Sequence, residues 1–231
     1  MSELMRMFHE GSPYEGHDLA AHPADLQGLG SHDPVFEEIL SRLRPSRIIE
    51  VGTWKGASAV HMAKTAQKLN LSTEILCIDT WLGSWEHLLG RRPDWRNSLR
   101  VQNGYPRLYF TFLTNVITNG VTDFIVPLPS TSEIAAQLLT SKKVKADLVY
   151  IDASHDVPSV LRDLRMFWPI LNDDGAIFGD DYKPGNSIAT AAHQFATEVK
   201  RPVAGRPAKF IIPKRGEPAD FAPSLVAAQV S

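Results

Sequence analysis

Short apolar runs alternate along most of the chain with longer segments in which apolar residues recur every three or four positions. The short runs are typical of buried strands, and the longer segments are typical of helices with one apolar face. Runs at 47–51 and 74–78 lie on either side of a helical segment at 57–69. Together they form a βαβ unit of about 30 residues. Strands that alternate with helices in this way predict an α/β fold, a mostly parallel sheet with helices on both faces.

The same alternation continues to residue 213 and completes a predicted sheet of seven strands. Aspartate followed by proline at 33–34 begins the first helix, because aspartate caps a helix well and proline suits its first turn. Beyond the βαβ unit, we predict strands at 123–128, 147–151, 175–178 and 209–213, a weak strand near 203, and helices at 34–44, 108–119, 132–139, 157–171 and 187–199.

Three segments interrupt this rhythm and divide the chain into an arm, a main domain and a tail. Residues 1–30 are rich in Gly, His, Pro and Asp, which predicts an irregular arm, and residues 215–231 predict a loosely ordered tail. The main domain then covers 31–214. Within it, an insertion at 81–108 predicts a lid or substrate wall, although a solvated helical face has the same composition. Its tryptophans and arginines, which suit a ring-bearing or anionic acceptor, include Trp81, Trp85, Trp95, Arg91, Arg92, Arg96, Arg100 and Arg107.

Composition narrows the class of protein. The 231 residues carry 24 Lys and Arg against 26 Asp and Glu, which gives a net charge of −2 and argues against a nucleic-acid partner. The single cysteine, Cys77, excludes an internal disulfide framework. No apolar run reaches the length of about 18 residues that a membrane span needs, and no signal-type apolar core begins the chain. We therefore expect a cytoplasmic protein with a small-molecule partner, and leave homo-oligomer formation open.

A glycine turn follows the first predicted strand, in the segment Glu50-Val-Gly52-Thr-Trp-Lys-Gly56-Ala-Ser58. A strand that ends in glycine and leads into a helix lets a ligand approach the backbone and its free amides. Asp79 ends the adjacent strand, where a carboxylate can accept both hydroxyls of a ribose. The alternative is a tight turn that only packs the helix on the sheet.

The spacing of this turn argues against a nicotinamide dinucleotide. That fingerprint needs three glycines in the pattern G-x-G-x-x-G, whereas Gly52 and Gly56 lie four positions apart with Trp54 between them. A pyrophosphate would meet an indole where glycine is required. A nucleoside ligand without phosphates, such as S-adenosylmethionine, fits better.

Acidic residues end the fourth and fifth predicted strands. Asp152 follows one strand, and Asp180 and Asp181 follow the next. Three clustered carboxylates repel one another unless a positive charge neutralises them, and oxygen ligands favour Mg²⁺, Ca²⁺ or Mn²⁺. The alternative is that Asp180 and Asp181 only cap a turn. His155, three positions after Asp152, is a candidate proton acceptor or a partner for the start of the next helix.

With these residues, the chain resembles the class I S-adenosylmethionine-dependent methyltransferases, and within them the cation-dependent O-methyltransferases of the catechol and caffeoyl-CoA type. It is also similar to bacterial relatives that modify sugars and natural products. The resemblance covers about 26–213 and implies a Rossmann-like methyltransferase domain. It implies S-adenosylmethionine and Mg²⁺, or another divalent cation, as cofactors. The implied reaction is O-methylation of a small-molecule hydroxyl on a sugar, phenol or natural product.

The resemblance also implies roles for individual residues. It assigns the metal to Asp152, Asp180 and Asp181. From the residues themselves we expect Asp152 and His155 to be the catalytic residues. Two departures stand out: Asp181 replaces a frequent asparagine, and His155 replaces a lysine. A metal-independent methyltransferase and a non-catalytic nucleotide-binding protein therefore remain alternatives. The implied cofactor site consists of Glu50, Gly52, Thr53, Trp54, Gly56, Ser58, Asp79, Thr80, Trp81, Ser130, Thr131 and Asp152.

Overall fold

A computed structural model describes residues 1–89 and 93–227, apart from the side chains of residues 93, 94 and 227. It contains one seven-stranded sheet in the order β3-β2-β1-β4-β5-β7-β6. Strands β1 to β5 are parallel, and β7 runs antiparallel to both β5 and β6. The predicted α/β fold is thereby confirmed. The strands are Arg47–Val51 (β1), Glu74–Asp79 (β2), Ile125–Pro129 (β3), Ala146–Ile151 (β4), Leu171–Tyr182 (β5), Ala204–Arg206 (β6) and Ala208–Pro213 (β7).

Helices cover both faces of the sheet. Alternate strand residues point to opposite faces, so Ile48 packs in one buried cluster and Ile49 in the other. Helices α7, α8 and α9 supply one cluster, and α2, α3 and α6 supply the other. The helices are Glu3–Phe8 (α1), Val35–Leu43 (α2), Ala57–Lys68 (α3), Trp85–Leu89 (α4), Pro93–Ser98 (α5), Leu108–Thr118 (α6), Ser132–Ser141 (α7), Val157–Phe167 (α8), Ser187–Val199 (α9), Pro218–Phe221 (α10) and Pro223–Ala227 (α11).

Two elements differ from the predicted ones by more than two residues at a boundary. The helix predicted to run to residue 171 ends at Phe167 and continues as a single 3₁₀ turn, Trp168–Ile170. Pro169 lies in that turn, and proline cannot donate the backbone hydrogen bond that a longer helix needs. Strand β5 begins at Leu171 and extends to Tyr182, so Asp180 and Asp181 belong to the strand end.

The arm and the tail contain more structure than the sequence predicts. In the arm, α1 buries Leu4, and the Tyr14 hydroxyl donates to the Ile125 carbonyl at 2.8 Å on edge strand β3. In the tail, Phe221 and Leu225 of the two last helices are buried against the cluster that contains α2 and α3. These apolar contacts hold both segments on the domain. Residues 228–231 of the predicted tail lie outside the described part of the chain.

The strand order places a crevice at the carboxyl ends of β1 and β4. From β1 the chain moves outward to β2 and β3, and it then crosses to β4 on the other side of β1. Ligands of open α/β sheets bind beyond the strand ends at such a reversal. Within residues 1–89 and 93–227, none of the helices combines the length and apolar character that a membrane crossing requires.

Candidate functional site

A cleft of about 890 Å³ opens at this reversal, beyond the carboxyl ends of the parallel strands. This volume lies within the range of sites for small molecules and cofactors. The glycine turn borders one part of the cleft, and the acidic residues of β4 and β5 border another. The sequence-predicted residues that line it are Gly52, Thr53, Trp54, Ser58, Asp79, Thr80, Ser130, Thr131, Asp152, His155, Asp180 and Asp181.

Three other residues predicted to contact the cofactor lie behind the cleft wall. Glu50 is completely buried at the end of β1. Gly56 begins α3, and a side chain there would meet the Phe112 ring at 2.8 Å. Trp81 is only 2% exposed, and its indole nitrogen donates to the Trp54 carbonyl at 2.7 Å. The structure therefore gives these three residues roles in building the wall rather than a place on its surface.

Gly52 brings the ends of β1 and β4 together. Its φ of +85° lies in the left-handed region that glycine tolerates best. A Cβ at this position would lie 2.2 Å from the Asp152 carbonyl oxygen, which no packed structure accommodates. The glycine thus allows the turn after β1 to pass directly beside Asp152, and it places the two halves of the cleft in contact.

Glu50 supports the same turn from the buried side, through hydrogen bonds to its hydroxyl groups. Its carboxylate accepts hydrogen bonds from the Thr53 hydroxyl at 3.0 Å and from the Ser58 hydroxyl, and the Cys77 thiol lies at 3.5 Å. Burial raises the pKa of Glu50 to about 7. Its contacts are with Thr53 and Ser58, both of which line the cleft, so Glu50 fixes the residues that a ligand would meet.

Asp79 binds the backbone of both loops beside it. One oxygen accepts from the amides of Thr53 at 2.9 Å and Trp54 at 2.8 Å, and the other accepts from the Trp81 amide at 2.7 Å. Burial raises the pKa of Asp79. The Thr80 amide is a fourth backbone donor to this carboxylate, so Asp79 holds the two loops that border the cleft.

Asp152, His155 and Asp181 form a cluster at the ends of β4 and β5. Each offers one ligand atom, and these atoms lie within 4.8 Å of one another. The imidazole Nε2 of His155 lies 3.0 Å from a carboxylate oxygen of Asp181. This hydrogen bond raises the pKa of His155 and lowers the pKa of Asp181. Two carboxylates and one imidazole suit a divalent cation such as Mn²⁺ or Mg²⁺, provided that the imidazole is unprotonated.

Asp180, the third predicted metal ligand, is instead paired with a lysine. The Lys209 ammonium lies 2.7 Å from one Asp180 oxygen and is completely buried. The Tyr150 hydroxyl donates to the other oxygen at 3.0 Å. Sequence reasoning missed Lys209, which appears there only as the first residue of a predicted strand. The sequence did contain a signal: Lys209 directly precedes the apolar run Phe210-Ile-Ile, which predicts that the lysine is buried. A buried lysine needs an acidic partner, and that requirement points to a nearby carboxylate.

Sequence reasoning also missed Lys55, the lysine of the glycine turn. Its side chain is almost completely buried, and its ammonium donates to Asp25 at 2.5 Å and Gln27 at 3.2 Å in the arm. It also donates to the Ser98 hydroxyl at 3.1 Å in α5 of the insertion. One residue thus connects the turn, the arm and the insertion. The arm residues that follow, Gly28 and Leu29, line the cleft.

Aromatic side chains from the insertion form one wall of the cleft. The Trp54 ring stacks on His87 with centroids 4.4 Å apart, and His87 lies 5.4 Å from Trp95. Trp85 also lines the cleft, with 58% of its surface exposed. Arg91 and Arg92, two of the arginines expected to favour an anionic acceptor, lie outside the described residues. This wall offers flat apolar surface to a ligand.

Comparison with known proteins agrees with the fold. Three O-methyltransferase structures are similar over most of their lengths. One from Bacillus cereus, bound to S-adenosylhomocysteine, has 11% sequence identity and a TM-score of 0.55 over 81% of this chain and 82% of that one. TomG of tomaymycin synthesis from Streptomyces achromogenes, bound to S-adenosylmethionine, has 12% identity and a TM-score of 0.56 over 83% of each chain, and NovP has 14% identity and a TM-score of 0.57 over 77% of each chain. At these identities the likeness establishes the fold.

The family assignment follows from the sequence itself. No curated protein matches the chain. A family model described as "Methyltransferase domain" matches residues 49–182, which is more than half of the chain and runs from within β1 to the end of β5. The chain belongs to the methyltransferase-domain family and has the fold of the class I S-adenosylmethionine-dependent methyltransferases.

Proposed function

We propose that this protein transfers a methyl group from S-adenosylmethionine to the hydroxyl of a small molecule, with a divalent cation at the acidic end of its cleft. One observation carries the proposal: the glycine turn and the acidic cluster line the same cleft and touch at Gly52 and Asp152. A methyl donor held at the turn would present its methyl group toward an acceptor held at the cluster. Neighbours of the same fold bind S-adenosylmethionine or S-adenosylhomocysteine, which supports the choice of donor.

The cofactor would lie along Thr53, Trp54 and Ser58, with its ribose at Asp79. These groups offer hydroxyls and an aromatic ring, whereas the amides of Thr53 and Trp54 already donate to Asp79 and are not free to bind a pyrophosphate. The loop at Ser130 and Thr131 extends from β3 on the far side of Asp79, where the base would follow the ribose. This arrangement supports a nucleoside without phosphates as the ligand.

The reaction is a direct displacement at the methyl carbon. The acceptor oxygen forms a bond to that carbon while the carbon–sulfur bond breaks, and its electron pair stays on sulfur in S-adenosylhomocysteine. Where His155 ligates no cation, the hydroxyl proton passes to its Nδ1, because Nε2 donates its own hydrogen to Asp181 at 3.0 Å, and Asp181 stabilises the resulting imidazolium. Where a cation occupies His155, the hydroxyl proton is released to solvent. Residues around the cleft contribute chiefly by aligning oxygen, carbon and sulfur. When bound, a divalent cation lowers the pKa of the acceptor hydroxyl.

A metal-independent methyltransferase is the second candidate, and the charges of the acidic end favour it. Lys209 neutralises Asp180, and His155 donates a hydrogen bond to Asp181, so two of the three carboxylates have a partner among the described residues without a cation. In this version His155 and Asp152 perform the proton transfer alone. The two candidates share the cofactor site and differ only in their response to chelation.

The arm and the insertion form the cover of the proposed site. Gly28 and Leu29 line one side and the aromatic wall lines the other, and Lys55 holds both segments. We propose that residues 81–108 act as a lid over the acceptor. The aromatic wall favours an acceptor with a flat ring, although a sugar hydroxyl also fits the proposed chemistry.

The deciding experiment measures methyl transfer from labelled S-adenosylmethionine to a panel of phenols, sugars and natural-product alcohols, with Mg²⁺ or with excess chelator. We expect turnover that chelation abolishes and that Asp152→Ala removes. Asp123→Asn is the matched control, because Asp123 is exposed and precedes β3 at the opposite edge of the sheet. Full turnover in chelator would assign the metal-independent mechanism. Failure to bind S-adenosylmethionine at all would overturn the proposed function.

A further inference from the structure

We infer that Lys209 removes Asp180 from the cation-binding set of this protein, so that a divalent cation is bound by Asp152, His155 and Asp181 alone. The inference rests on the proposed function, in which a cation binds at the acidic end of the cleft. In this inference the Lys209 ammonium neutralises Asp180 permanently, in place of a metal ion.

Both oxygens of the Asp180 carboxylate accept hydrogen bonds from within the protein. Its Oδ1 atom accepts from the Lys209 ammonium at 2.7 Å and from the Asp181 amide at 2.8 Å. Its Oδ2 atom accepts from the Tyr150 hydroxyl at 3.0 Å, and Lys209 donates to the same hydroxyl at 3.1 Å. Ligation of a cation by Asp180 would therefore require these charge-assisted bonds to break.

The Lys209 ammonium cannot turn to another partner when this pair breaks. Its side chain has no exposed surface. Three aromatic rings surround its nitrogen, with ring centroids 5.1 Å (Phe36), 5.3 Å (Tyr150) and 5.9 Å (Phe178) from Nζ. Gly30 of the arm closes the remaining side, since a Cβ there would lie 3.4 Å from both the ammonium and the Asp180 carboxylate. Aromatic faces attract the cation but do not replace a carboxylate, so separation of the buried pair is costly.

The other three residues are free to reorganise around a cation. The side chains of His155 and Asp181 are more than half exposed, and their hydrogen bond is with each other. A cation could bind both side chains once the imidazole is unprotonated, and solvent would screen the charges that separate when their hydrogen bond breaks. Asp152 lies between this exposed pair and the buried pair, since its carboxylate is 3.5 Å from the Tyr150 hydroxyl. The exposed side chains can therefore ligate a cation, whereas the buried carboxylate of Asp180 stays paired with Lys209.

Mn²⁺ binding to the full chain tests the inference without any need for an acceptor. Free Mn²⁺ is measured by electron paramagnetic resonance in titrations of the wild type, Asp180→Asn and Asp181→Asn. We expect Asp181→Asn to weaken binding by at least about tenfold, as loss of a metal-site residue does. Asp180→Asn should weaken Mn²⁺ binding clearly less than Asp181→Asn does, because the substituted group contributes no ligand.

A paired substitution protects the test against a folding defect. Replacement of a buried ion pair by apolar residues is often tolerated, whereas removal of one partner is not. We therefore expect the double variant Lys209→Met with Asp180→Leu to fold, as checked by circular dichroism, and to bind Mn²⁺ as the wild type does. Lys209→Met alone, if folded, should bind Mn²⁺ more tightly, since it frees Asp180 and removes a repelling charge.

Two outcomes would overturn the inference. One is a loss of Mn²⁺ affinity in Asp180→Asn or in the double variant that equals the loss in Asp181→Asn. The other is a wild-type chain that binds no Mn²⁺ at millimolar concentration. Calorimetry with S-adenosylhomocysteine separates this failure from failure of the methyltransferase proposal, because cofactor binding at the glycine turn does not require the cation.

Discussion

At the scale of single residues, the site depends on Gly52. Its positive φ is a conformation that costs other residues about 1–2 kcal/mol. The larger demand is steric, because the position of a Cβ lies 2.2 Å from the backbone of Asp152. A side chain at this position would therefore push the cofactor end of the cleft away from the acidic end.

Gly52→Ala should lower both the melting temperature and the affinity for S-adenosylhomocysteine, the latter by at least about tenfold, which corresponds to about 1.4 kcal/mol. Gly120→Ala is the control: its φ of +68° carries similar backbone strain, but its Cβ would meet nothing within 4 Å. Thermal unfolding and calorimetry measure both variants. Equal effects of the two substitutions would show that backbone strain alone matters and that the contact with Asp152 does not.

Glu50 should make the stability of the protein depend on pH. Its pKa is raised to about 7 from 4.5, so the folded state binds the proton more tightly than the unfolded state. This contribution is fully present below pH 4.5 and is lost as the pH rises through about 7. At roughly 1.4 kcal/mol per unit of pKa, the loss amounts to about 3 kcal/mol.

Glu50→Gln should remove this dependence, because the amide keeps the shape of the side chain without a charge to bury. The free energy of unfolding, measured by urea titration between pH 5 and pH 8, should fall less steeply in the variant than in the wild type. Glu10→Gln, at an exposed position of the arm, is the control. An unchanged slope in Glu50→Gln would assign the pH dependence to other groups.

At the scale of elements, Lys55 joins segments that are distant in sequence. The arm reaches the cleft at residues 25–31, and the insertion reaches it through α4 and α5. Both contact the same buried ammonium. The Asn115 amide of α6 reinforces the junction by donating to the carbonyls of Asp25 and Lys55 at 3.0 and 2.8 Å. The cover of the cleft is thus held at one point.

Lys55→Met should release the arm while the sheet stays intact. Hydrogen exchange followed by mass spectrometry should show amides at 25–31 that exchange about tenfold faster or more, with no change in β1 or β4. Lys64→Met, on the exposed side of helix α3, which follows the turn, should leave the arm unchanged. A protected arm in the Lys55 variant would show that the contacts of α1 and Tyr14 with the sheet hold it without the lysine.

At the scale of the whole molecule, the proposed activity depends on pH through an exposed pair at the mouth of the cleft. Asp181 stabilises the charged form of His155 and raises its pKa above 6.5. Proton transfer and cation binding both need the neutral imidazole. Activity should therefore be low below this pKa and rise as the pH passes through it.

The dependence of kcat/KM on pH checks this expectation. The rising limb should have an apparent pKa above 6.5, and Asp181→Asn should move it to lower pH because the imidazolium loses its partner. His155→Asn should remove the limb altogether. Persistence of the same limb in His155→Asn would assign the proton acceptor to another group.

The pattern of apolar residues alone determined the class of fold. Alternating strand and helix periods predicted the seven strands, and the position of the strand ends predicted twelve of the residues that line the cleft. These features are local or follow from general rules of chain connection, which explains why one sequence suffices. The conformation of Gly52 also belongs here, because only glycine suits such a turn.

Only the tertiary structure decided which charges meet. Asp180 and Asp181 are neighbours in sequence, yet one pairs with the buried Lys209 and the other with the exposed His155. Trp81 and Glu50 turn behind the cleft wall, and Lys55 reaches the arm about thirty residues away. A side chain's partner depends on the direction it takes from its strand and on the segments packed above it. The periodicity of apolar residues predicts neither of these, because it describes the helix or strand to which a residue belongs and not the elements that pack against it.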